Sequence, residues 1–202
     1  MNAPEIVRQL GRHAPFTVLG TASGIGLALL MAFLRIPRGT SEMLFWTFHP
    51  THVVLSALVT TAMYRLNRRG GLVRTVLIGY VGSVGIATLS DSLIPFAGEW
   101  LLELPHRGFH LGFIEKWWLV NPLALAGIAI AYWWPHTRLP HAAHVFVSTW
   151  ASLFHMTMAM GSRMTLATVP AVAVFLFLAV WLPCCTSDIV FPLMWRKQQL
   201  QQ

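Results

Sequence analysis

Six long apolar runs dominate this chain, at roughly 16–35, 43–64, 75–97, 117–134, 141–160 and 165–193. A bilayer core takes about 20 apolar residues per helix. Inside hydrocarbon the backbone must satisfy its own hydrogen bonds, which leaves helices or closed barrels. Six such runs leave little room for anything else in 202 residues. They predict an all-α, polytopic integral membrane protein with six transmembrane helices. Charged residues make up 10% of the chain, against about 25% in soluble domains. The first 15 residues are polar and the run after them is long enough to span, so no cleavable signal peptide is expected.

Cations set the expected topology. With the N-terminus inside, Arg8, Arg12, Arg65, Arg68, Arg69, Arg74, Arg138, Arg196 and Lys197 fall inside, nine of the 14 Lys and Arg. Arg35, Arg38, Arg107, Lys116 and Arg163 fall outside. The bias puts both termini in the cytoplasm of a plasma or inner membrane. These cations lie in short loops between apolar runs, so the net charge of +7 predicts no nucleic-acid partner. The lipid bilayer is the expected partner, and a homodimer is compatible with a chain of this size. Tryptophan pairs at 117–118 and 133–134 bracket one run, as interfacial belts do. Gly20 and Gly24, and Gly79, Gly82 and Gly85, mark small-residue faces suited to close helix packing.

An internal repeat organises the chain. HPTHVVLS at 49–56 and HAAHVFVS at 141–148 share H-x-x-H-V-x-x-S, each followed four residues later by a hydroxyl, Thr60 or Ser152. SDSLIP at 90–95 and SDIVFP at 187–192 share S-D-x-x-x-P, in the same order within each half. The expected units are a three-helix repeat over 1–97, an extracytoplasmic connector over 98–116 and a second repeat over 117–202. Three spans per unit force the second copy to enter from the opposite side. The result is the 3+3 inverted-topology repeat of secondary transporters.

The repeated residues are polar where hydrocarbon disfavours them. At about 100° per residue, His49, His52, Ser56 and Thr60 fall within an arc of about 80°. His141, His144, Ser148, Ser152 and His155 do the same. Pro50 suits a first helical turn, so the second helix is expected to start near Thr47, with its positive dipole end beside His49 and His52. With Asp91, that pair is expected near the outer face, and His141, His144 and Asp188 near the inner face.

Imidazoles with a carboxylate can hold Zn, Fe, Mn or Ni, and a thiolate shifts preference to Zn or Cu. The candidate metal ligands are His49, His52, Asp91, His141, His144, His155 and Asp188. Ser56, Thr60, Ser90, Ser148, Ser152 and Ser187 would line a substrate pathway. Cys184, Cys185, Glu99, His106 and His110 are possible accessory groups, the last three in a connector that otherwise reads as solvated surface with a short amphipathic helix. The plainer role for any single histidine is a hydrogen bond between helices.

The expected function is transport of a transition-metal cation, or of a proton-coupled solute, between the two repeats. Two other readings use the same residues: an intramembrane metal-dependent lipid hydrolase, and a haem-binding electron-transfer subunit with axial histidines. The chain has no C-x-x-C-H, P-loop or G-x-S-x-G motif.

Overall fold

A computed structural model describes residues 3–34, 36–67, 70–136, 138–161, 168–185 and 191, with the backbone alone described at 3–10, 12, 13, 138–142 and 185. Among the described residues the chain is all-helical, without strands. The helices are α1 (Ala3–Phe33), α2 (Arg38–Asn67), α3 (Leu72–Leu101), α4 (Gly112–Glu115), α5 (Trp117–Trp133), α6 (Arg138–Met160) and α7 (Val169–Cys185). Among the described residues each predicted apolar run lies largely within one helix, the last of them, 165–193, over Val169–Cys185.

Two segments are long and apolar enough by themselves to cross a bilayer. They are Ala14–Phe33, with mean hydropathy 1.9, and Leu72–Leu101, with 1.7. Helices α5 and α7 are apolar but shorter, at 17 residues each. Helices α2 and α6 carry the histidine, serine and threonine stripes, which lower their apolarity.

Helix α2 is the centre of the bundle, flanked by α6, α5 and α3, while α1 packs on α6 and α7. Phe45 meets His155, and further along α2 His52 meets His144. The two helices are therefore antiparallel. The helix does not start near Thr47: it starts at Arg38 and Pro50 is internal. Pro50 has no N–H to give the Trp46 carbonyl. His49 and His52 thus sit in mid-helix, far from any dipole end.

Helix α3 contains two π-helical turns, Val81–Gly85 and Leu89–Leu93. The second explains how Ser90, Asp91 and Ser92 are all fully buried. In a regular α-helix three consecutive residues sweep about 200°. A π turn widens the local backbone, and α3 here packs against α6 and α7 while His49 and His52 of α2 reach Asp91.

Glycines fix the closest approaches. Gly20 and Gly24 face Thr149 and Leu153 of α6, and Gly79 and Gly82 face Thr61 and Thr60 of α2, whereas nothing stands near Gly85. Tightest against backbone is Gly127 of α5, where a Cβ would lie 2.7 Å from the Val54 carbonyl oxygen and 2.9 Å from Ala57 Cβ. Gly127→Ala should cost about 1–3 kcal/mol through overpacking. Gly26→Ala, at an open position, should be neutral or stabilising by up to about 1 kcal/mol. Denaturation midpoints of the two purified variants check both signs.

Candidate metal centre

Asp91 is the hub of the buried polar interior, with no exposed surface. Its Oδ2 accepts from Nδ1 of His49 at 2.9 Å and from Nδ1 of His52 at 2.8 Å. Its Oδ1 accepts from Ser90 Oγ at 2.7 Å and Ser148 Oγ at 3.1 Å. Four donors on two oxygens are the environment of a carboxylate, which accepts only. Both imidazoles therefore carry their proton on Nδ1, and in the neutral form each Nε2 keeps its lone pair.

On the far side of His52 lies a second group. The His52 and His144 rings stack at 5.3 Å, 4° from parallel. Cys184 Sγ sits 4.0 Å from His52 Nε2 and 3.6 Å from Ser148 Oγ. One ligand atom from each of His52, His144 and Cys184 lies within 4.8 Å of the others, and all three side chains are buried. This group can hold a metal ion. In a tetrahedral site Zn–S is about 2.3 Å and Zn–N about 2.0 Å, which puts sulfur and nitrogen about 3.5 Å apart. The observed 4.0 Å between Cys184 and His52 needs a contraction of about 0.5 Å for that pair. Three protein ligands would leave a fourth position open, as in exchangeable rather than purely structural sites.

The sequence-predicted residues divide into three sets. His52 and His144 come together, and Cys184 joins them as an equal member. Asp91 stands behind His52, in the place where a carboxylate fixes the tautomer and orientation of a metal-bound imidazole. His49 shares that carboxylate. The outer and inner placement expected for the two H-x-x-H motifs is not what is observed: His52 and His144 stand at one level, because α2 and α6 cross there. Ser56, Thr60, Ser90, Ser148 and Ser152 are all buried. Ser152 Oγ reaches the Ser90 carbonyl at 3.0 Å, tying the π turn to α6. Asp188 and Ser187 lie outside the described residues, as do the side chains of His141 and Cys185.

His155 belongs to a different cluster. Its Nδ1 is 2.6 Å from Glu99 Oε1 and its Nε2 is 3.5 Å from Ser92 Oγ. Glu99 was expected in a solvated connector, yet it is fully buried in the last turns of α3. The connector folds back over the bundle end, held there by its own backbone N–H groups. The His106 N–H bonds the Ala159 carbonyl at 3.1 Å, Gly108 N–H bonds Glu99 Oε2 at 3.2 Å, and His110 N–H bonds Ser92 Oγ at 3.1 Å. His110 Nδ1 pairs with Glu115 at 3.0 Å. Sequence reasoning missed Ser92, Glu115 and Phe45. The run of three polar residues at 90–92 is the one signal that could have flagged Ser92.

Removing one side of a buried charged network strands the other. Asp91→Ala should cost about 3–5 kcal/mol, since it leaves two imidazole N–H groups and two hydroxyls without their acceptor. Ser148→Ala, which removes one of four donors to the carboxylate, should cost less, about 1.5–3 kcal/mol. Chemical denaturation of the purified variants separates the two. Compared with family models, curated proteins and solved structures, the chain matches none.

Proposed function

We propose that this is a six-span membrane protein of two inverted three-helix halves that binds a divalent transition metal at His52, His144 and Cys184 and passes it across the bilayer. The observation that carries this reading is the convergence of three buried ligand side chains, one of them anchored by Asp91, on helices from both halves. His52 comes from α2, and His144 and Cys184 from α6 and α7. A site shared between halves is made or opened as one half moves against the other, which is the alternating-access device. His52 and His144 hold matching positions in the two H-x-x-H-V-x-x-S motifs, and their stacking on antiparallel helices is compatible with a two-fold axis between the halves.

Charge favours a divalent ion. A metal dication, the Cys184 thiolate and the Asp91 carboxylate sum to zero, and an interior poor in water favours neutral assemblies. A thiolate with two imidazoles suits Zn²⁺ better than Mn²⁺ or Fe²⁺. The inside-out distribution of side chains supports a bilayer setting. Val18, Leu19, Leu30, Val73, Leu77, Leu125 and Val174 are exposed while the polar cluster is buried. Trp117, Trp118, Trp133 and Trp134 are exposed at both ends of α5, where interfacial belts lie.

The rival chemistries fit less well. A hydrolase needs a carboxylate able to act as base beside the metal, and both oxygens of Asp91 already serve four donors. A bis-histidine haem needs a porphyrin lying between its two axial imidazoles, and stacked rings with centroids 5.3 Å apart leave no room for one between His52 and His144.

The test is equilibrium zinc binding to the purified protein, followed by zinc flux in proteoliposomes. About one Zn²⁺ per chain is expected, lost in His144→Ala and Cys184→Ser. Asp91→Asn should weaken affinity about 10–100-fold, the usual penalty for losing an outer-shell partner. Binding without flux would sink the transport half of the reading. A folded protein that binds no divalent metal would sink all of it.

A further inference from the structure

We infer that the metal ion reaches the centre from the connector end, through a file formed by Glu115, His110, Ser92, Glu99 and His155, and that Phe45 is the barrier that closes this file. The inference takes its endpoint from the metal-binding reading above. Its geometry is independent of that reading.

The file begins at the surface. His110 and Glu115 pair while 26% and 39% exposed, so the mouth offers a nitrogen ligand and a carboxylate to water. The next station is buried: the His110 ring lies 5.4 Å from the His155 ring. His155 and Glu99 are each 1% exposed. Packing alone gives no reason for this pair, since apolar side chains of similar volume serve an interior as well or better than a buried ion pair. Ser92 joins the two stations, accepting from the His110 backbone and facing His155 Nε2.

Between this group and Asp91 the polar chain breaks. Among the described residues, no hydrogen bond links Glu99, His110, His155 or Ser92 to His49, His52 or Asp91. Phe45 fills the gap. It is fully buried, stacks on His49 at 5.3 Å and touches His155 at 5.2 Å and His110 at 5.8 Å. From the connector, Gly112 is pressed so close to the His49 ring that a Cβ would collide with it. An aromatic ring in this position excludes water, yet its face attracts a cation stripped of its shell. A rotation of one phenyl group would join the outer imidazoles to His49 and the centre.

Accessibility of Cys184 reads the barrier without any metal. The chain has two cysteines, so Cys185→Ser leaves Cys184 as the single target for a membrane-impermeant, positively charged methanethiosulfonate. Labelling should be slow in that parent. It should rise at least tenfold in Phe45→Ala and by less in Phe45→Leu, which keeps more of the side-chain volume. The rise should occur from one membrane face only, the face from which Arg107→Cys in the connector is labelled. Phe48→Ala, which removes a ring packed on Trp150 and Phe154, should leave the rate unchanged. Unchanged labelling in both monodisperse Phe45 variants, a rise from the opposite face, or an equal rise in Phe48→Ala would overturn the inference. Loss of zinc binding with intact Phe45-dependent labelling would overturn the metal reading alone.

Discussion

A carboxylate without access to water must be surrounded by donors, and most of this interior is arranged to do that for Asp91. Four donors reach it from two neighbouring helices and from its own turn. This requirement fixes the facing surfaces of α2, α3 and α6 together. It also explains the π turn, which lets Ser90, Asp91 and Ser92 all point inward. An unsatisfied carboxylate here would be among the most expensive groups in the molecule, so the helices cannot slide past one another without loss.

The same interaction has a chemical consequence. By holding the proton on Nδ1 of His52, Asp91 leaves Nε2 to face Cys184. Structural and chemical roles are thereby combined in one residue. The second buried pair, Glu99 with His155, repeats the pattern of an imidazole held by a carboxylate at the connector end. In the proposed pathway, two such stations separated by the Phe45 ring form a polar axis through the bundle. In the proposed arrangement, the lower station lies where the two halves meet and the upper one lies under the connector.

Much of the helical layout was legible. Length and apolarity locate most of the described helix ends to within several residues, because hydrogen-bonded helix is the favourable way to bury a long apolar backbone; α1 is the exception, starting at Ala3 in the polar stretch that precedes its apolar run. The repeated H-x-x-H and S-D signatures singled out His49, His52, Asp91 and His144. What could not be read was which partners meet. Periodicity placed His49 and His52 on one stripe but could not say that α6 crosses α2 at that level. Nor could it show that the carboxylate turns to the Nδ1 side of both rings. Glu99 lies in a stretch with charges on either side, and the same composition suits solvent or a folded-back cover. Pro50 looked like a helix start since proline is favoured there, yet the hydrogen bonds of the preceding turns sustain the helix through it.

The sequence by itself determined an all-helical chain, the apolar faces of its helices, and the repeated H-x-x-H-V-x-x-S pattern that plants imidazoles and hydroxyls on α2 and α6. These follow from local periodicity and composition, which each segment carries without reference to the others. Only the tertiary structure decided that His52, His144 and Cys184 converge, that Asp91 holds His52 and His49 from behind, and that Phe45 packs between His49 and the rings of His110 and His155. Convergence depends on helix crossing and on one π turn, and both are settled by packing between segments distant in the chain.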